Sequence, residues 1–394
     1  MKIKLVTLNV LLVLAFVLSA CAPAATPTAQ PTVEPTTVPT EVPTEVPTAT
    51  TAPTEVPTDV PTEVPTPEPT AIVVPEDTLM SFIAENAPTL DGIADEAVWA
   101  SAQPLIIEVG DGANAFDGEG VVEIRSVYKD DMVYFVATWE DPTQSFVRSP
   151  WQKQEDGTWK KLSDPDDKGG DNNLYYEDKM ALIWSIANSI PGFEQRGCFT
   201  ACHDGENADV KPYGNKYTDA EGQLGDIWHW KSVRNLGQMD DQYLDHVQYS
   251  PETVEAGRHS DPKDGGGYVN NETEAKDMPA FMAPEGGSKD GVPGFLLDSE
   301  KVPFDDTLFV AGDLVPSIII APFTGDRGDI TAAWFYADGK WTIEFSRKLV
   351  TGSEFDVQFE DLLSVYYFGL AVFDNAQVRH GYQAGSNEFI FQQP

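Results

Sequence analysis

The chain has 394 residues with 64 acidic against 25 Lys plus Arg side chains, a net charge of −39. So acidic a surface would meet a phosphate backbone as a like charge, which excludes a nucleic-acid binder working through a basic groove. Hydrophobic residues make up 41% of the chain, enough to bury a core, while 30 Pro and 31 Gly favour turns over long helices.

Residues 1–20 read as an export signal, with basic Lys2 and Lys4, an apolar run from Val10 to Leu18 and small residues ahead of a cysteine. The apolar run falls short of the ~20 residues that span a bilayer. The end of the segment, Leu18-Ser19-Ala20-Cys21, resembles the lipobox of bacterial lipoproteins, in which the cysteine is acylated and becomes the mature N-terminus. The resemblance implies lipidation at Cys21, on the outer face of the cytoplasmic membrane or in the periplasm or outer membrane. Residues 21–75 then repeat Thr-Glu-Val-Pro and close variants, as at Thr40–Pro43, Thr44–Pro47 and Thr62–Pro65. Proline at that frequency forbids helix and interior strand, and there is almost nothing large and apolar to bury. The segment is expected to be a disordered tether, extended at up to ~3.1 Å per residue and reaching as far as ~150 Å from a membrane.

Residues 76–394 are the globular part. Val121–Tyr128 and Met132–Trp139 are β-branched and aromatic runs split by Lys129-Asp130-Asp131, the pattern of a hairpin. Lys179–Ala187 reads as a buried strand. Ile330–Ala337 and Lys340–Arg347 form a second hairpin, turning at Asp338-Gly339, and Val365–Asp374 and Asn387–Phe391 are further strands. Short strands joined by Gly/Asp turns, without an alternating helical pattern, predict an all-β, antiparallel β-sandwich. Between about Phe146 and Val310 the pattern weakens into long Gly/Asp/Asn-rich loops, with Lys179–Ala187 the one strand expected there. Loops of that length in a compact domain usually have a use.

Apart from Cys21, the cysteines are Cys198 and Cys202, and His203 follows at once. Two thiols that can add across haem vinyl groups, beside an imidazole that can ligate iron, are the ingredients of a covalent haem c site. The spacing is one residue wider than C-x-x-C-H. A Cys198–Cys202 disulfide would also suit an oxidising exterior, though it closes a small loop. Zinc would need further ligands that no second cysteine pair supplies. A reactive thiol pair would usually sit at a helix start, which Pro191 and Gly197 do not favour. A second axial ligand could come from His229, His246, His259, His380, Met239, Met278, Met282 or Lys231, and spacing alone does not choose.

Several stretches together resemble a known family. Leu90-Asp91-Gly92-Ile93-Ala94-Asp95-Glu96-Ala97-Val98-Trp99 resembles the opening of family 9 carbohydrate-binding-like sandwiches. Val127-Tyr128 through Trp139-Glu140-Asp141-Pro142-Thr143, then Glu177–Trp184, Asp226–Lys231 and Ala371–Asn375, are similar to the ethylbenzene dehydrogenase-related haem-binding domain, a family that includes haem subunits of dimethyl sulfoxide reductase-type molybdoenzymes. In members with non-covalent haem b the ligands are a Met after the strand matching Met180–Ala187 and a Lys after the strand matching Val365–Asp374. Here the first loop carries Cys198, Cys202 and His203, and the second position falls near His380. The resemblance thus implies one haem c with His203 and His380 as its axial pair, and His229 as runner-up.

Asp164–Asn173 alternates carboxylates with glycines but lacks the spacing of a calcium loop, so a solvated acidic loop is the expectation. Arg327-Gly328-Asp329 reads as a chance tripeptide in a turn. No hydrolase, phosphate-loop or dinucleotide motif occurs. The expected protein is a lipid-anchored cytochrome c that passes single electrons to a redox partner with a basic docking surface and is not an enzyme. The alternatives are a haem subunit of an exported molybdoenzyme, or a carbohydrate-binding module on a stalk with Cys198 and Cys202 as a disulfide.

Overall fold

The computed structural model describes residues 74–167, 172–201, 216–248, 250, 252, 257–287 and 289–394. The expected export signal, Cys21 and the linker lie outside these residues, as do Cys202 and His203. Among the described residues no helix is long and apolar enough to cross a membrane.

Thirteen strands form the main sheet: β1 (Thr78–Ile83), β2 (Leu105–Val109), β3 (Gly120–Lys129), β4 (Met132–Glu140), β5 (Lys179–Ser185), β6 (Gly225–Lys231), β7 (Asp240–Leu244), β8 (Arg258–Ser260), β9 (Thr331–Ala337), β10 (Lys340–Lys348), β11 (Tyr366–Phe373), β12 (Gly381–Tyr382) and β13 (Asn387–Phe391). Their order is β8-β7-β6-β5-β11-β13-β1-β3-β4-β10-β9, with β2 on β3 and β12 on β11. Both expected hairpins form. Ala337 pairs with Lys340 across Asp338 and Gly339, which both take positive φ, 53° and 75°, as a two-residue hairpin turn matched to strand twist requires.

The sheet folds over so that its two halves face each other, which makes the molecule a β-sandwich. Phe135 on β4 stacks on Phe345 of β10 at 5.1 Å and crosses the interior to Trp228 of β6 at 5.6 Å and Phe389 of β13 at 5.4 Å. Trp230 of β6 likewise meets Trp139 of β4 and Trp341 of β10, at 5.9 and 4.9 Å. The two ends of the sheet approach each other where Thr331 bridges Gln238 and Met239 N–H donates to the Ile330 carbonyl at 3.0 Å.

Two expectations need correction. The sandwich is not wholly antiparallel, because β1 runs parallel to both of its neighbours, β13 and β3. The region between Phe146 and Val310 also holds more strand than Lys179–Ala187, including β6, β7 and β8. Strands β6 and β7 escaped the hydrophobic pattern because they bury polar side chains, among them Asp226, His229, Lys231, Asp240 and Asp241.

At one end of the sandwich three strand boundaries carry carboxylates. Asp141 follows β4, Asp178 precedes β5 and Asp374 follows β11, and one carboxylate oxygen from each lies within 4.8 Å of the others. They fix the departing loops: Asp178 accepts from the N–H groups of Ser145 at 2.7 Å and Asn375 at 2.8 Å, and Asp374 from Ala115 N–H at 2.9 Å. Burial, then the charge of Asp374, pushes the Asp141 carboxyl up to about 7. A carboxyl raised in the folded state stabilises the fold fully below its unfolded value and loses that contribution as pH rises through its folded one. Asp141→Asn keeps an oxygen for the Thr143 N–H, which Asp141 now accepts at 3.1 Å, and removes the charge. It should raise stability at pH 8 by roughly 1–3 kcal/mol and leave it unchanged at pH 4, as measured by urea unfolding at both pH values. Equal effects at the two would mean the carboxyl titrates normally.

Candidate functional site

The β5–β6–β11 half turns its outer face toward the long loops. Strand alternation decides which side chains stand there. Ala181 of β5 pairs with Ala371 of β11 and with His229 of β6, and Ile183 pairs with Gly369 and Ile227. The small residues at 181, 369 and 371 keep the middle of this face low.

The segment after β5 folds onto one end of the face. A helical turn over Phe193–Arg196 and a 3₁₀ turn over Cys198–Thr200 bring Cys198 down on Gly369, where an added Cβ would stand 2.9 Å from the Cys198 Sγ. Cys198 thus opens a 3₁₀ turn and is buried with Ile183, Phe193 and Ile227. Gly197 bridges to Gly385, and a Cβ on Gly197 would lie 2.0 Å from the Gly385 carbonyl oxygen, so only glycine permits this approach. Ser386 Oγ donates to the Glu194 carbonyl at 2.7 Å. These contacts staple the Cys198 turn to the chain beyond His380.

His229 stands at the other end of the face. Its Nδ1 is 3.2 Å from Gln242 Oε1, and its buried Nε2 has no hydrogen-bond partner among the described residues. Burial, reinforced by Lys231 and Lys179, holds the imidazole well below its ordinary value of 6.5. The ring is therefore neutral at pH 7, with its proton on Nδ1 toward Gln242 and a lone pair on Nε2. Phe373 stacks on His229 at 6.0 Å and meets His380 at 5.1 Å. The His380 ring is 5.9 Å from Tyr382, which is 5.3 Å from Phe199. A row of rings thus runs from His229 past His380 to the neighbour of Cys198. His380 Nδ1 lies 3.1 Å from the Val378 carbonyl oxygen.

Cations surround this row in an otherwise acidic protein. Buried Lys179 donates to the Gln377 carbonyl at 2.8 Å and lies 3.9 Å over the Phe373 ring. Lys231 pairs with Asp240, and Arg234 with Glu177. Burial lowers the ammonium values of both lysines. The structure therefore brings Cys198, His229 and His380 to one face. It commits other ligand candidates elsewhere: Met239 to the main core, Met278 and Met282 to a satellite cluster, and His259 to Asp245 at 3.2 Å. The nearby cleft between Ser185, Ile190, Phe193 and Tyr367 holds about 210 Å³. That is below the ~300–1,000 Å³ of ordinary ligand pockets and is not of porphyrin size.

Asn172 organises the described part of the acidic loop, accepting from the N–H groups of Asp164 at 3.1 Å and Tyr175 at 3.1 Å. Residues 168–171 lie outside the description. The Arg327-Gly328-Asp329 tripeptide faces inward, with Arg327 bonded to Asp240 at 2.6 Å. Every tryptophan except Trp334 is buried, and Trp334 packs on Trp230 at 5.8 Å, so no exposed indole is available to stack on a sugar ring. The role of Gln242 and Phe373 in orienting His229 was not visible in the sequence. Alternation of His229 with Trp228 and Trp230 was the one signal.

Fold and site together define a β-sandwich whose outer face carries His229 and is covered by the loops after β5 and β11. The chain belongs to the ethylbenzene dehydrogenase family, whose model matches residues 96–385. No curated protein matches the chain. Among solved structures it is similar to a family 9 carbohydrate-binding module from Caldicellulosiruptor kristjanssonii in complex with glucose, at 6% identity over 79% of this chain and 95% of that one, with a TM-score of 0.28. A protein from Bacteroides uniformis described as carbohydrate-binding aligns over 80% and 98%, at 7% identity and a TM-score of 0.31.

In protein purified without haem, the His229 ring should titrate well below the ordinary histidine value in NMR spectra. A midpoint near ~6.5 would place that ring in water.

Proposed function

We propose that the protein is an exported, lipid-anchored c-type cytochrome that carries single electrons and performs no bond chemistry. Covalent attachment would use Cys198 and Cys202, and His203 would be one axial ligand. The observation that carries this reading is the neutral imidazole of His229, whose buried Nε2, on the same face as Cys198, has no partner among the described residues. A metal-binding histidine is commonly held this way, with its other nitrogen donating to an oxygen, here that of Gln242. The same observation ranks His229 above His380 as the second axial ligand, with His380 as the alternative through its nearby ring.

When bound, the haem supplies a reversible one-electron couple. The protein's own part is to orient the ligands, exclude water from them and set the charge around them. Two imidazole ligands favour a lower potential than a Met ligand would. Lys231, paired with Asp240, and Lys179, bonded to the Gln377 carbonyl, flank the ring row, and the strongly acidic remainder suits a redox partner with a basic docking surface. The Cys21 anchor and the Pro-rich tether fit a free-standing carrier better than a subunit of a molybdoenzyme. A second reading, a sugar-binding module with a Cys198–Cys202 disulfide, would need a binding surface other than the tryptophans, which are committed to the core.

The test is to express the full chain with a cytochrome c maturation system. The expected product has a Soret band whose pigment resists acidic acetone, one haem per chain, and a six-coordinate low-spin spectrum. His229→Ala should convert it to high spin while His380→Ala leaves it low spin. The reverse pattern would move the ligand to His380, and a colourless protein that migrates more slowly in polysaccharide gels would replace the electron carrier with a sugar binder.

A further inference from the structure

A second group of carboxylates lies inside the sandwich, at the end where the sheet closes. Asp226 on β6, Asp241 on β7 and Asp356 in the connection between β10 and β11 each place one oxygen within 4.8 Å of the others. All three are fully buried. Asp261, just after β8, and Asp329, just before β9, press against the same group; Asp261 faces Asp356, and Asp329 faces Asp241. Five segments far apart in sequence therefore converge on one acidic interior point.

Among the described residues the cation beside them is Arg347 of β10, 3.0 Å from Asp226 and 3.7 Å from Asp356. One guanidinium does not balance five carboxylates, and burying unbalanced charge is costly. Some of the oxygens are spoken for: Asp226 Oδ2 accepts from Arg347, from the Trp228 indole N–H at 2.9 Å and from Val357 N–H at 2.9 Å, and Asp241 Oδ1 from Gln242 N–H at 3.0 Å. The others are not. Asp226 Oδ1, Asp241 Oδ2, Asp356 Oδ1, Asp329 Oδ1 and both oxygens of Asp261 are buried without a hydrogen-bond partner among the described residues. The Asp141–Asp178–Asp374 group differs, since there only Asp141 Oδ2 is left over.

We infer that this group is a binding site for a hard divalent cation, with calcium as the class that fits, clasping the seam where β6, β7 and β9 meet. Calcium takes six to eight oxygen ligands at about 2.3–2.6 Å, so two oxygens on one ion stand no more than about 5 Å apart, a limit that three oxygens lying within 4.8 Å of one another satisfy. Magnesium prefers a smaller octahedron and keeps several of its waters, which suits a closed cage of carboxylates less well. Because the ligands come from β6, β7 and the segments after β8, before β9 and between β10 and β11, the ion would hold both halves of the sandwich together at this end. The site is separate from the His229 face, and the inference does not rest on the haem reading.

The test uses the full chain, stripped with a chelator and titrated with calcium, magnesium or terbium alone. The expected result is one calcium per chain by elemental analysis and a melting temperature at least ~5 °C higher with calcium than in chelator. Terbium luminescence excited through tryptophan should appear, because the Trp228 indole is bonded to Asp226. Asp241→Asn and Asp261→Asn should each abolish the calcium shift, whereas Asp141→Asn should retain it. A wild-type chain that binds no terbium and melts identically with and without chelator overturns the site, as does a calcium shift lost in Asp141→Asn but kept in Asp241→Asn. Were both variants at the proposed site unfolded, the wild-type titration would still decide.

Discussion

Strands β5 and β6 serve two faces at once, and that constraint shapes the rest of the molecule. Their inner side chains, Met180, Leu182, Trp184, Trp228 and Trp230, fill the centre of the sandwich. Their outer side chains, Ala181, Ile183, Ile227 and His229, form the floor on which the loops build a site. A register shift of one residue would put His229 into the core and Trp228 on the site, so neither face can be changed without the other. The bulky inner rings keep this register in place, and the small outer residues leave room above it.

The distribution of charge follows from the same arrangement. Most of the acidic excess is on the surface, where water screens it and it favours solubility. Inside, carboxylates gather at the two ends of the sandwich and do different work. Those at Asp141, Asp178 and Asp374 answer the N–H groups of departing loops. Those at Asp226, Asp241 and Asp356 confront one another with Arg347 as their protein counter-charge. The basic residues that remain inside concentrate beside the ring row, where Lys179, Lys231 and Arg234 make the one interior region of mixed charge near the candidate site.

Much of the fold was legible from residue pattern. The hairpins at Asp130-Asp131 and Asp338-Gly339 were readable because local turn chemistry and alternation agreed. Strands β6 and β7 were not, because Gly225–Lys231 and Asp240–Leu244 interleave aromatic residues with buried charge, and hydropathy alone treats buried Asp as loop. For the site, Cys198 and the candidacy of His229 and His380 could be read from residue chemistry and family resemblance. The choice between the two histidines could not, since it depends on the Gln242 contact and on the burial of Nε2, both products of strand pairing. The convergence of Asp226, Asp241, Asp261, Asp329 and Asp356 across 130 sequence positions was equally out of reach.

The parallel placement of β1 between β3 and β13 has a consequence for how the chain reaches its final form. The first strand of the domain finds one of its two partners only when the last strand has been delivered, and the Cys198 turn gains its Gly385 anchor from nearly the same place. Until the segment around Gly385 is in place, the turn that carries Cys198 lacks this anchor. Topology thus couples closure of the sheet to the fixing of the Cys198 turn.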